Sequence, residues 1–208
     1  MTVRVEVTAD QRFGTNSYLV EDDETHDAVV IDSNLEPDLV IEVAKQRGAN
    51  VKAILLTHTD IDHIAGLHEL RGAFGPVPIA VHAAEKDVIA EGRPLRREFG
   101  PIATRVDNVT SLVEGEPYRA GSLEFEVLHT PGHSPGGVTL KIDGHLFTGD
   151  ALFAGSIGRS DFANSDTAAL LEGIKSRLLS QADDAIVYSG HGPATTIGRE
   201  RRMNPFLT

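Results

Sequence analysis

The chain has 208 residues, 40% of them hydrophobic and 24% charged, with no cysteine. That describes an ordinary globular domain able to bury about 70% of its unfolded surface, without disulfides, thiolate metal ligands or cysteine nucleophiles, as expected of a cytoplasmic protein. With 31 acidic against 19 basic side chains the net charge is −12, which repels phosphate backbones and anionic lipid heads and sets aside nucleic acid and membrane surfaces in favour of a small-molecule partner. No stretch approaches the ~20 apolar residues of a bilayer span. The first residues alternate like a strand and lack the apolar core of a signal peptide.

In chain order, strand-like apolar runs occupy residues 3–7, 18–20, 28–31, 51–56, 77–81, 123–128, 138–142, 145–147 and 185–188. Helical periodicity covers 37–47, where Leu39, Val40 and Val43 share a face and Gly48 is the stop, then 65–74 and 83–91. It returns at 167–179, with Leu170, Leu171, Ile174 and Leu178 at helical spacing. The order predicts an α/β fold of two sheets with helices packed outside them. With no linker, repeat or low-complexity tract, one domain over 1–208 is the economical expectation. Residues 92–108 are the least regular, and their Arg93, Arg96 and Arg97 are expected to form a solvated basic turn rather than a substrate-carboxylate site.

Four apolar runs end alike. Residues 53–56 lead into Thr57-His58-Thr59-Asp60-Ile61-Asp62-His63, and 125–128 into His129-Thr130-Pro131-Gly132-His133. Leu146-Phe147 leads into Thr148-Gly149-Asp150, and 186–188 into Ser189-Gly190-His191. In each, a buried strand gives way to a small or turn-forming residue and then to an imidazole or carboxylate. Side chains on strand ends of a shared sheet edge converge on a rigid support. A lone His or Asp in such a place is commonly a turn residue. Four metal-capable side chains within residues 58–63 are costly to desolvate unless a cation neutralises them. Histidine and aspartate together suit zinc, iron or manganese where no thiolate is present.

These motifs resemble the metallo-β-lactamase fold superfamily, whose signature H-x-H-x-D-H is followed by single His, Asp and His residues on later strand ends. The match here is His58, Asp62 and His63, then His133, Asp150 and His191. Residues 130–136, 147–150, 155–161, 189–193 and 198–205 are similar to the small glyoxalase II-like (hydroxyacylglutathione hydrolase-like) branch. The resemblance implies a four-layer αββα sandwich with two divalent ions at one edge. One ion is implied at His58, His133 and Asp60, the other at Asp62, His63 and His191, with Asp150 bridging; the alternative is that Asp60 points away and only the second site fills. Asp62 is the implied catalytic residue, orienting a hydroxide and shuttling its proton.

Asp60 departs from the pattern, which has histidine there. Two divalent ions bring four positive charges, Asp62 and Asp150 leave two, and a third carboxylate leaves one. Less positive charge depresses a bound water's pKa less, and an oxygen ligand shifts preference from zinc toward iron or manganese. Asp60→His is therefore expected to raise zinc content relative to iron. The implied reaction is hydrolysis of a small acyl compound, a thioester of the hydroxyacylglutathione type. The helical C-terminal domain that longer glyoxalase II enzymes use for glutathione is expected to be missing, since the chain ends at Thr208. Alternatives are a persulfide dioxygenase using a single iron, a lactonase or β-lactamase, and a non-catalytic metal-binding module. Arg159 with Asp161 is read as a structural ion pair, His129 as a packing residue, and His26, His68, His82 and His145 as surface or hydrogen-bonded residues. The run from Arg199 to Arg202 is read as part of a docked, ordered tail.

Overall fold

The computed structural model describes residues 2–96, 105–107 and 109–208. Arg97 and most of the irregular 92–108 region lie outside the described residues.

One sheet has the order β1 (Val3–Ala9), β2 (Asn16–Asp22), β3 (Asp27–Ile31), β4 (Asn50–Leu55), β5 (Ile79–His82) and β6 (Thr110–Leu112). Its first three strands are antiparallel and β3 to β6 are parallel. The second sheet contains β7 (Tyr118–Ala120), β8 (Leu123–His129), β9 (Val138–Ile142), β10 (His145–Gly149), β13 (Ile186–Ser189) and β14 (Thr195–Thr196). A separate hairpin pairs β11 (Leu152–Phe153) with β12 (Ser156–Ile157).

Strand alternation builds the layers. Val29 and Ile31 of β3, with Ala53 and Leu55 of β4, face Phe125, Val127, Leu140 and Phe147 of the other sheet and close the central core. Their neighbours Ala28, Val30 and Ile54 point the opposite way, against Val40, Ile41 and Leu70 from α1 (Pro37–Arg47) and α3 (Leu67–Phe74) and Ile89 from α4 (Lys86–Glu91). Beyond the second sheet, Leu128, Leu146 and Val187 pack on Leu170 of α5 (Thr167–Gly173), on Ile174 and Leu178, and on Ile197 of α6 (Ile197–Met203). The result is the expected αββα sandwich.

Local signals account for the element ends. Pro37 opens α1, and Gly48, left-handed at φ 67°, closes it by donating to the carbonyls of Ala44 and Lys45. The long helix expected over 167–179 is α-helical only to Gly173 and continues as a π-helical stretch, Ile174–Leu178. Residues 83–91 divide into a 3₁₀ turn, Ala83–Glu85, and α4. The basic tail is ordered, because Arg201 and Arg202 both bond to Asp183 while Glu200 is buried.

Candidate metal centre

Because β3, β4 and β5 are parallel and β8 runs with β10 and β13, the strand ends carrying the motifs share one edge of the sandwich. Beyond β4 the chain passes Thr57 and His58, and at Asp60 it enters α2 (Ile61–Ile64), which carries Asp62 and His63. His133 follows β8, Asp150 follows β10 and His191 follows β13. All seven predicted residues come together. Gly190 is required beside them, since a Cβ there would stand 2.1 Å from Asp150 Oδ1 and 2.7 Å from His63 Cε1.

The ligand atoms fall into overlapping triads: His58, Asp60 and His133; His58, His63 and Asp150; Asp62, His63 and His191. In the first, Asp60 Oδ2 lies 3.0 Å from His133 Nε2 and 3.8 Å from His58 Nε2. In the last, Asp62 Oδ2 lies 3.6 Å from His63 Nε2 and 3.4 Å from His191 Nε2. Asp150 reaches both sides, with Oδ1 at 3.5 Å from His63 Nε2 and Oδ2 at 3.7 and 3.5 Å from the Nε2 atoms of His133 and His191. Tetrahedral ligands about 2.1 Å from a zinc ion are about 3.4 Å from one another, so these spacings fit a cation between them. His58 Nε2, His63 Nε2 and Asp150 Oδ1 are buried with no hydrogen-bond partner, and clustered as they are they suit atoms that hold a cation.

Each imidazole turns Nε2 inward because Nδ1 is engaged behind it. His63 Nδ1 meets Asp32 Oδ2 at 2.9 Å, and His133 Nδ1 meets the Arg159 carbonyl at 2.7 Å. His191 Nδ1 lies 3.2 Å from the Phe13 carbonyl and His58 Nδ1 3.1 Å from Thr57 Oγ1. Such partners fix the tautomer and ring direction of a ligating histidine. Thr15 Oγ1 donates to Asp62 Oδ2 at 2.7 Å.

Charge is strongly coupled here. Burial alone would raise the Asp150 carboxyl, but the charge of His63 and the hydrogen bond from His191 hold it well below the ordinary range. Asp62 is likewise held low against its burial by His191, His63 and Thr15. Burial pulls His191 down, yet hydrogen bonds to Asp150 and Asp62 overcome it and push its pKa up to about 10. Burial and the neighbouring charge of His63 lower His58. The carboxylates stay ionised, and the positive charge beside them is exchangeable for that of a metal ion.

Three residues outside the predicted set complete the centre. Asp32, left-handed at φ 60°, accepts from Thr57 N at 2.8 Å and Thr57 Oγ1 at 2.7 Å besides holding His63. Glu85, fully buried, accepts from Thr59 N, Thr59 Oγ1 and Gly136 N, each at 2.7 Å, and ties the His58 loop to the His133 loop. The third corrects an expectation. Arg96 does not belong to a solvated turn: it is 4% exposed and its Nε donates to both Asp60 oxygens, at 2.7 and 2.9 Å. Its charge restores what Asp60 removes, so the carboxylate does not lower the net charge of the centre as its sequence position implied. Arg93 is exposed and pairs with Asp87 and Glu91.

The other histidines lie away from the cluster, as expected. His129 stacks on His82 at 4.1 Å, and His26 bonds to Glu21. Arg159 and Asp161 form the expected pair, through two bonds of 3.0 Å.

A profile of the metallo-beta-lactamase superfamily matches residues 10–191. The chain belongs to that superfamily. It is 34% identical to hydroxyacylglutathione hydrolase GloC of Haemophilus influenzae over 217 aligned positions, covering 99% of this chain and 98% of the other. Among solved structures, BLEG-1 B3 metallo-beta-lactamase superposes with a TM-score of 0.89 at 34% identity, covering 99% of this chain and 100% of that one. TTHA1623 in a di-iron-bound form superposes with a TM-score of 0.84 at 36% identity, over 97% and 100% of the two chains. The motif edge of this superfamily member opens to solvent, in a cleft of about 530 Å³. Asp60, Asp62, His133, Asp150 and His191 form the polar floor of that cleft, and Phe13, Ile61, Phe153, Ile157 and Phe162 form apolar walls, with Arg159 beside them. No helix among the described residues is long and apolar enough to cross a membrane.

Proposed function

We propose that the protein is a metal-dependent hydrolase of small thioesters of the hydroxyacylglutathione type, with ligand sets His58, Asp60 and His133, and Asp62, His63 and His191, joined by Asp150. The observation that carries this reading is the convergence of four inward-facing Nε2 atoms and three carboxylates at one edge of the sandwich, where Asp60, Asp62, His133, Asp150 and His191 line an apolar-walled cleft. The likeness to GloC along almost the whole chain supports the substrate class. The family and the mixed oxygen and nitrogen donors suit zinc or iron, with manganese also compatible. When bound, such ions acidify a water and polarise a carbonyl oxygen.

The residues of the chain supply the rest. Asp62, held ionised and oriented by Thr15, is the carboxylate that takes a proton from the attacking water. Phe13, Phe153 and Phe162 receive the apolar part of the acyl or thiol group and exclude bulk water from the carbonyl. Arg159 stands where a substrate carboxylate would lie.

The test is hydrolysis of a hydroxyacylglutathione thioester under anoxia by protein loaded with zinc or with iron, beside lactone and cephalosporin panels. Thioester cleavage that is lost in Asp62→Asn with metal content retained supports the reading. Oxygen consumption with glutathione persulfide and no thioester cleavage, or cleavage of lactones or cephalosporins alone, would replace it. A metal-loaded protein inert toward every substrate would make it a binding module.

A further inference from the structure

Asp60 stands where the superfamily signature has a histidine, and the chain pairs it with a cation that no motif announces. Besides its bonds to Asp60, Arg96 donates through Nη1 to Asn164 Oδ1 at 2.8 Å and through Nη2 to the His133 carbonyl at 3.0 Å. The Phe162 ring covers the guanidinium, 3.7 Å from its centroid. Arginine carries a permanent charge, and its planar fork suits a buried carboxylate better than lysine does. Among the described residues Asp60 is its ion-pair partner. Asp60 Oδ2 nonetheless keeps its place near His133 Nε2 and His58 Nε2, so the carboxylate faces the histidines with one oxygen while Arg96 grips both. On the other side of Asp150, the Asp62 carboxylate meets a threonine hydroxyl and imidazoles, with no guanidinium against it among the described residues.

We propose that Arg96 is the counter-ion that turns Asp60 into an electrical substitute for histidine: the pair keeps the His58–Asp60–His133 corner neutral and makes it the weaker of two cation sites. The inference rests on the metal-centre reading above. A lone carboxylate would draw a cation to that corner more strongly than the pair does. A unit charge within a few ångströms of a divalent ion shifts its binding by more than about tenfold at the permittivity of a partly buried site.

The test is titration of the metal-free protein with Zn²⁺ against a competing chelator, with circular dichroism and thermal unfolding to confirm that each variant is folded. In Arg96→Gln the weaker Zn²⁺ constant tightens at least about tenfold, while the tighter one moves by less than about threefold. A wild type that retains a single ion beside an Arg96→Gln variant that retains two supports the same conclusion. In Asp60→His the guanidinium loses its counter-ion and the weaker constant loosens at least about tenfold; Asp60→His/Arg96→Gln regains it. That pair of variants decides the matter if Arg96→Gln does not fold. A folded Arg96→Gln whose weaker constant is unchanged or loosened overturns the proposal, and so does equal Zn²⁺ binding by Asp60→His with and without Arg96. Either result leaves the metal-centre reading standing as long as the wild type binds Zn²⁺. A wild type that takes up no Zn²⁺ overturns both.

Discussion

The two sides of the centre are supported by opposite charges. Behind His63 stands an anion, Asp32, which is itself tied to Thr57; behind Asp60 stands a cation, Arg96, tied to Asn164 and the His133 carbonyl. An anion behind an imidazole makes it a better electron donor to a metal, whereas a cation behind a carboxylate makes it a poorer one. On the proposal above, the same sandwich edge carries a side built to hold a cation firmly and a side built to hold one less firmly. The ligand atoms alone do not reveal this difference, because their spacings on the two sides are nearly the same.

The largest expected effect removes the comparison altogether. Asp150 faces His63 on one side and His133 on the other, so Asp150→Ala weakens both sites together. We expect kcat/KM for the thioester to fall by about a thousandfold or more, with bound metal reduced on both sides. Metal analysis after dialysis checks this. Loss of a single equivalent with the other intact would show that Asp150 serves only one side.

Asp32→Asn acts chiefly on the firm side, where Asp32 meets His63 directly and reaches His58 only through Thr57. The amide keeps the shape but gives His63 Nδ1 a weaker acceptor, so the tighter metal constant is expected to loosen by about 10- to 100-fold. Folding stability falls by about 1–3 kcal/mol, because Asp32 is buried and also serves the backbone N–H and hydroxyl of Thr57. The sign is opposite to that expected for Arg96→Gln, and chelator competition on both variants compares them directly. If both substitutions shift metal binding the same way, the contrast between the two sides is lost.

These two supporting residues also show what was legible beforehand. The strand-then-ligand pattern at residues 58–63, 133, 150 and 191 can be read locally, since each ligand follows an apolar run within a few residues. Asp32 obeys the same rule, coming directly after the run 28–31, but followed by Ser33 and Asn34 it reads as an ordinary turn. Its role appears only once β3 and β4 are paired side by side. Arg96 carried no such signal. It lies in an aperiodic segment 36 positions from Asp60, and its burial depends on Phe162 and Asn164, which arrive from beyond β12. The layers of the fold were plain from apolar periodicity. β6, β7, β11, β12 and β14, of two or three residues each, are too short for alternation to register.

A smaller effect is expected at Glu85, which joins the His58 and His133 loops without facing a ligand atom. Glu85→Ala leaves three donors without their acceptor and is expected to cost about 2 kcal/mol of folding stability. Catalysis should fall by about tenfold as the loops loosen, with the tighter Zn²⁺ constant nearly unchanged because Asp62, His63 and His191 lie off these loops. Urea unfolding beside Zn²⁺ titration checks both. An equal loss at both metal constants would place Glu85 behind the whole centre instead.

The smallest effect sets two arginines against each other. Arg96 and Arg159 both lie over the Phe162 ring, 3.7 and 4.4 Å from its centroid, yet one is buried against a ligand carboxylate and the other reaches into solvent, paired with Asp161. Position rather than residue type should decide what each charge does. Water screens the charge of Arg159 from the metal corner, so Arg159→Ala is expected to leave both Zn²⁺ constants and the melting temperature unchanged. Its effect falls on the cleft: KM for a thioester carrying free carboxylates rises by about two- to fivefold at constant kcat, and KM for an uncharged thioester does not move. Steady-state kinetics with the two substrates separates these outcomes. A changed Zn²⁺ constant in Arg159→Ala would mean that the cleft does not screen as its exposure implies, and that the weaker corner answers to the summed charge over Phe162 rather than to the Asp60–Arg96 pair.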